Sequence, residues 1–142
     1  MRVPYETMLA EIERVLKKYG FSAERAHEAA EIFAQNSLAG VFSHGLNRFP
    51  RVVEYLRKGE IDPAAEAVCT ASFGAMERWD GQRGFGPLNA RHAIAADVAA
   101  SEPAEPGREV RCPGMGEHRS RKENMELGIP VAEEKWAEVL AM

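Results

Sequence analysis

Hydrophobic side chains recur at steps of three and four residues through the first part of the chain, which is the period of an amphipathic helix. The pattern predicts three helices, over residues 5–19, 22–38 and 46–59. Gly20 is expected to end the first helix and Ser22 to cap the second. Pro50 predicts that the third helix begins or kinks near it, because proline lacks a backbone donor.

The pattern changes after Pro63, where alternating short segments predict a β-hairpin. Its strands are expected over residues 67–72 and 75–79, around Phe73 and Gly74. Helical periodicity returns over 88–99, a polar connector follows over 101–109, and two more helices are predicted over 118–127 and after Pro130. The sequence therefore predicts a mainly α fold with a small β-hairpin, in a single domain spanning residues 1–142.

The composition of the chain argues against several functional classes. The net charge is −4 with both signs interspersed, so no basic stripe is available for nucleic acid. No apolar stretch approaches the roughly 20 residues of a membrane span. Cys69 and Cys112 have neither disulfide-framework nor metal-site spacing, so free thiols, no metal and a cytoplasmic location are expected. Cys69 lies in a predicted strand and is expected to be buried there.

The segment from Gly40 to Arg51 contains the candidate chemistry. If residues 44–48 are helical, His44 and Arg48 lie one turn apart on one face. A guanidinium binds a carboxylate through two parallel hydrogen bonds, and an imidazolium can give a proton to a carbonyl oxygen. Gly45 is expected to let a substrate approach the backbone. Spacing alone leaves open an ordinary solvated or capping pair.

The remaining motifs are expected to have structural roles. Gly81, Gly84 and Gly86 follow a predicted strand, but their order is not the G-x-G-x-x-G of a dinucleotide loop, so they are expected to form turns. His27 and His92 are expected at the surface. Trp79 and Trp136 are expected to anchor the core or an interface.

The string SHGLNRFPR, followed by EYLRKGEIDP, resembles the N-terminal region of the malate/L-lactate dehydrogenase-type NAD(P)H-dependent oxidoreductases. Ser43, His44, Gly45 and Arg48 match the core motif of that family, and Asn47 matches its diketogulonate-type variant, as does Phe49. The segment AMERWDGQRGFGPLNA is also similar to the family. In the tail, the matching residues are Pro113, Gly114, Asn124, Gly128, Ile129 and Trp136.

This resemblance implies reduction of a 2-oxo acid or a 2,3-diketo sugar acid with NAD or NADP. It assigns proton donation to His44 and substrate binding to Arg48, Ser43 and Asn47. The implied cofactor contacts are Gly114, Met115 and Gly116. The family also implies a homodimer as the assembled form.

The resemblance further implies an unusual domain organisation. Residues 1–95 correspond to the N-terminal segment of the family and residues 96–142 to its C-terminal segment. The family normally inserts a central nucleotide-binding domain where these segments join here, around Ala95 and Ala96. The expectation is therefore a helical domain without that insert and with impaired reductase activity. The alternative is a non-catalytic remnant or a helical dimerisation module.

Overall fold

The computed structural model describes residues 1–74, 76–102 and 119–142 of the chain. Its elements are β1 (Arg2–Val3), α1 (Tyr5–Lys18), α2 (Ala23–Leu38), a 3₁₀ helix (Leu46–Arg48), α3 (Phe49–Arg57), β2 (Val68–Phe73), β3 (Met76–Asp80), α4 (Gly86–Ala100), α5 (Arg119–Leu127), β4 (Ile129–Pro130) and α6 (Glu133–Ala141). The predicted fold class, mainly α with a small β-hairpin, is confirmed.

Helices α1 and α2 pack against each other and form the main part of the core. The buried face of α1 consists of Met8, Leu9, Ile12, Val15 and Leu16. On α2 the buried apolar positions are mostly alanines, with Phe33 and Leu38 as the large residues. Small side chains let helix axes approach closely, so the alanine face of α2 accommodates the larger side chains of α1.

The ends of these two helices are formed as predicted. Gly20 adopts a φ of +95° just after α1, a left-handed conformation that costs glycine little. The Ser22 hydroxyl accepts a hydrogen bond from the backbone N–H of Arg25 at 3.3 Å, which satisfies one of the donors left unpaired at a helix start.

The predicted third helix consists of two pieces. A single 3₁₀ turn over Leu46–Arg48 precedes α3, and Pro50 lies in the first turn of α3. A proline there costs no intrahelical hydrogen bond, so the helix begins at this point and does not kink. His44 precedes both pieces, so the condition that residues 44–48 are helical is not met.

Strands β2 and β3 form the predicted antiparallel hairpin, with Phe73 paired to Met76 across Gly74. Nearly all of its side chains are exposed. Cys69 is exposed as well, so its predicted burial is wrong, because no element covers this face of the hairpin in the described part of the chain. Trp79 is only partly buried, and its indole N–H donates to the carboxylate of Glu77 at 2.9 Å.

The C-terminal elements return to the first helices. Strand β4 pairs with β1, with Ile129 opposite Val3. The side-chain amide of Asn124 on α5 donates to the carbonyl of Leu38 at 2.7 Å, so it satisfies a carbonyl at the end of α2. Trp136 on α6 is buried, as predicted. Leu140 on the same helix is 50% exposed.

Cys112 and the proposed cofactor contacts Gly114, Met115 and Gly116 lie outside the described residues, as does most of the predicted connector. Within the described residues, none of the helices combines the length and the apolar character that a membrane crossing requires.

Candidate functional site

The candidate site is a cavity of about 800 Å³ between α2, the segment leading to α3, and the start of α4. This volume lies in the range typical of small-molecule sites. The residues that line it are Ile32, Phe33, Asn36, Val41, Ser43, His44, Arg48, Val52, Tyr55, Ile61, Gly84, Phe85, Gly86 and Pro87. Three of the four residues predicted to act on substrate therefore share one cavity.

A tight turn after α2 sets the position of His44. Gly40 has a φ of +81°, and the next N–H, of Val41, donates back to the carbonyl of Asn36 at 2.8 Å. This is the geometry with which glycine commonly ends a helix. The carbonyl of Val41 then accepts from the N–H groups of His44 and Gly45, each at 3.0 Å. The backbone at His44 is thus held by hydrogen bonds within its own turn.

Gly45 fixes this turn against α2. A Cβ atom at Gly45 would overlap the hydroxyl of Ser37 and lie 2.8 Å from the Ser37 backbone nitrogen. The same hydroxyl accepts from the N–H of Leu46 at 2.8 Å and donates to the carbonyl of Phe33 at 2.9 Å. The glycine is needed for close packing against the helix behind it. Gly45 was expected to let a substrate approach the backbone. In the structure, its missing side chain instead lets the turn pack against Ser37.

Ser43 contacts the imidazole of His44 directly. Its hydroxyl lies 3.1 Å from Nδ1 of the ring. When the imidazole is protonated both ring nitrogens are donors, so the Ser43 oxygen accepts from Nδ1 and Nε2 carries the remaining proton. Ser43 therefore orients the histidine, and substrate contact by Ser43 itself stays a prediction.

Arg48 reaches the cavity from the last residue of the 3₁₀ helix. Although His44 is not in a helix, the four-residue separation still brings both side chains to one cavity wall. Asn47 is exposed and is not among the lining residues. Its predicted role in substrate binding therefore has no support from the shape of this cavity.

The opposite wall is the glycine-rich stretch before α4, which forms turns as predicted. Gly84 packs so closely on the loop before β2 that a Cβ there would lie 2.5 Å from the carbonyl oxygen of Ala65. The guanidinium of Arg25 holds that loop by donating to the carbonyls of Pro63 at 3.1 Å and Ala65 at 2.7 Å. The positive φ angles of this stretch occur at Gln82 and Arg83. Gly84 thus serves packing within the chain, whereas a Cβ at Gly86 would meet nothing within 4 Å.

The charge of the lining favours an anion. It contains the guanidinium of Arg48 and the imidazole of His44, and none of the lining residues is a carboxylate. Phe33, Val52 and Phe85 form the buried apolar part of the wall. Among the residues that the structure describes, no group of His, Cys, Asp and Glu could hold a metal ion.

Two polar lining residues, Asn36 and Tyr55, were not predicted from the sequence. Tyr55 follows Arg48 and Val52 at the spacing of one helix face, so the periodicity of α3 contained a signal for it. Its hydroxyl accepts from Nε of Arg51 at 3.0 Å, and this bond raises the pKa of Arg51. Asn36 lies on the face of α2 that also presents Ile32 and Phe33 to the cavity.

Most of the chain is similar to known proteins. Residues 3–99, more than half of the chain, match the family model described as malate/L-lactate dehydrogenase. A 2,3-diketo-L-gulonate reductase of Escherichia fergusonii is 45% identical over 102 residues, which are 70% of this chain and 31% of that protein. The chain thus spans about a third of the length of the curated relatives it matches.

Solved structures similar to this chain include two dehydrogenases. Malate dehydrogenase from Pyrococcus horikoshii matches with a TM-score of 0.66 and 26% identity, over 70% of this chain and 28% of that one. Sulfolactate dehydrogenase from Methanocaldococcus jannaschii matches with a TM-score of 0.66 and 30% identity, over 70% of this chain and 29% of that one.

Proposed function

The chain belongs to the malate/L-lactate dehydrogenase family, and from this premise we propose that its cavity binds a 2-oxo acid or a 2,3-diketo sugar acid for NAD(P)H-dependent reduction. The observation that supports the proposal is the meeting of His44, Ser43 and Arg48 at one cavity without a lining carboxylate. Curated relatives named 2,3-diketo-L-gulonate reductase favour the sugar acid.

In this proposal the chain binds, orients and protonates the substrate. The Arg48 guanidinium pairs with the substrate carboxylate, preferably through two parallel hydrogen bonds. The protonated imidazole of His44, held through Nδ1 by Ser43, gives the Nε2 proton to the substrate carbonyl oxygen. Imidazoles change protonation between pH 5 and 8, which suits them to general-acid catalysis near neutrality.

A reduced nicotinamide would supply the hydride to the carbonyl carbon. The described residues fit the oxo acid better than they fit this cofactor. Gly84 packs against the backbone at Ala65, so the glycine-rich stretch forms no diphosphate cradle. The predicted contacts Gly114, Met115 and Gly116 lie outside the described residues. The proposed steps are therefore confined to the substrate, and we expect little turnover from this chain alone.

Titration of pyruvate and of oxalate into the purified chain, followed by NMR of the 41–48 amides, tests the proposal. Replacing Arg48 with Gln should weaken binding about 10- to 100-fold, since hydrogen bonds to charged groups contribute about 1.5–3 kcal/mol. Arg57→Gln is the matched control, because Arg57 lies on α3 but donates to Tyr19, which is not a lining residue. Equal binding by the two variants would refute the Arg48 assignment.

His44→Ala separates binding from proton transfer. We expect it to retain most of the affinity for oxalate, because Arg48 supplies the carboxylate contact, while any NADH-dependent reduction of the oxo acid is abolished. Titration of NADH alone, followed by nicotinamide fluorescence, tests whether the chain holds the cofactor. Full reductase activity in His44→Ala would exclude it as the proton donor.

A second candidate function is that of a non-catalytic helical module that assembles with another polypeptide, including a second copy of itself. The observation that favours it is the exposure of large apolar side chains, with Phe73 66%, Met76 70% and Ile94 54% exposed. Sedimentation equilibrium of the chain and of a Phe73→Ser variant tests this. If the chain is a monomer at every concentration tested and binds oxo acids, the helical-module function is refuted and the reductase function stands.

A further inference from the structure

We propose that Tyr55 and Asn36 form a subsite for the hydroxyl-bearing tail of the substrate, and so select a sugar acid over a short 2-oxo acid. This inference rests on the proposed function, which assigns the other end of the cavity to the carboxylate and the carbonyl. Neither Tyr55 nor Asn36 has a part in the proton transfer described above. Both are half-buried and line the same cavity as Arg48 and His44.

Position along α3 supports the assignment. Arg48, Val52 and Tyr55 follow one another on a single helix face, which places the Cα atoms of Arg48 and Tyr55 about 10 Å apart along the axis. An extended six-carbon acid spans roughly 6 Å between its end carbons, given C–C bonds of about 1.5 Å. The side chains of Arg48 and Tyr55 both line the cavity. When the carboxylate of a six-carbon acid binds at Arg48, the other end of that acid therefore lies near Tyr55. A three-carbon acid does not extend so far.

The hydrogen-bonding capacity of both groups suits hydroxyls. The Tyr55 oxygen accepts from Arg51, so its own proton remains to be donated, and donation is strengthened when the oxygen already accepts from a cation. One of the two amide N–H groups of the Asn36 side chain donates to the carbonyl of Ile32 at 2.8 Å. Among the described residues, its amide oxygen is left to accept from a ligand. A hydroxyl both donates and accepts, so it complements this pair.

The apolar neighbours make the two polar groups selective. Val52 and Phe33 are buried beside them, and they offer a polyhydroxy chain no hydrogen bonds. We expect the affinity gained by a sugar acid over pyruvate to come mainly through Tyr55 and Asn36, which are the polar lining residues without a part in the carboxylate contact or the proton transfer. A net hydrogen bond is worth about 0.5–1.5 kcal/mol, which corresponds to about 2- to 10-fold in affinity.

The test compares the dissociation constants of pyruvate and of 2-oxo-gulonate, a six-carbon 2-oxo sugar acid, for the full 142-residue chain by calorimetry. Tyr55→Phe should weaken 2-oxo-gulonate about 2- to 10-fold and leave pyruvate unchanged. Asn36→Leu should act in the same direction. Tyr19→Phe is the matched control, because Tyr19 also accepts from an arginine, at 2.7 Å from Arg57, but does not line the cavity.

The outcomes separate the two proposals. Pyruvate binding that depends on Arg48 supports the proposed function whatever Tyr55 does. If wild type then binds 2-oxo-gulonate no more tightly than pyruvate, or if Tyr55→Phe and Tyr19→Phe change the two ligands alike, the subsite is refuted while the function stands. Loss of all oxo-acid binding in wild type would refute both.

Discussion

Replacing Gly45 with Ala tests how the turn that presents His44 is held. The new methyl group would overlap the Ser37 hydroxyl and approach the Ser37 nitrogen to 2.8 Å, so the turn has to move away from α2. Overpacking of this kind costs about 1–3 kcal/mol. Movement also breaks the bond from the Leu46 N–H to Ser37, and a buried donor without a partner costs about 1–3 kcal/mol. We expect the free energy of unfolding to fall by about 3 kcal/mol.

Urea unfolding followed by circular dichroism measures this loss. With a slope of about 2 kcal/mol per molar urea, the midpoint should fall by about 1.5 M. Gly86→Ala is the matched control, since a Cβ at Gly86 meets nothing within 4 Å, and its midpoint should barely move. Adding Ser37→Ala to Gly45→Ala should restore about 1 kcal/mol, because the closest clashing atom is gone. A Gly45→Ala midpoint equal to that of Gly86→Ala would refute the packing argument.

Three further predictions concern stability and reactivity. Arg25→Ala should lower the free energy of unfolding by about 2–4 kcal/mol, because the Arg25 guanidinium donates to two backbone carbonyls from a side chain that is only 11% exposed. Urea unfolding measures this loss. Full rescue of stability by Arg25→Lys would contradict the role of the forked guanidinium. The hydrogen bond between His27 and Glu13 raises the pKa of His27, and bonds from Lys17 first and His27 second lower the pKa of Glu13. The stabilisation should therefore be present between the unfolded values of about 4.3 and 6.5, decline as pH rises through the folded pKa of His27, and decline as pH falls through that of Glu13. His27→Gln should thus cost on the order of 0.5 kcal/mol at pH 5.5 and less at pH 8, and an equal cost at both pH values would exclude the charged pair. Native Cys69 is exposed and should react with a thiol reagent in a Cys112→Ser background without denaturant; labelling only after unfolding would show that it is covered.

The helices could be predicted because their signals are local. The stop at Gly20, the cap at Ser22 and the period of α1 depend on neighbours in sequence, and all three agree with the structure. Burial on the hairpin could not be predicted in this way. A strand has a buried face only if another element covers it, and sequence alone did not show that Cys69 lies in water.

The residue types of the candidate site could be predicted from the sequence, but their arrangement in space could not. The residue types of His44 and Arg48 indicated oxo-acid chemistry, yet the helix assumed between them is a turn followed by one 3₁₀ turn. The close contact of Gly45 with Ser37 joins residues eight apart through tertiary packing, which no local pattern reveals. Tyr55 was missed because a tyrosine on an amphipathic helix usually indicates core packing.

The loop before α3 is held to the protein through its contact with α2. Gly45 and Leu46 are buried against α2, whereas Ser43 and Asn47 are exposed on the solvent side. Substitutions at Asn47 should therefore carry little penalty to folding, whereas substitutions at Ser43 remove the hydroxyl that contacts Nδ1 of His44. Asn47 is thus the position of this loop that a protein engineer can vary in a library without disturbing the hydrogen bond that orients the imidazole.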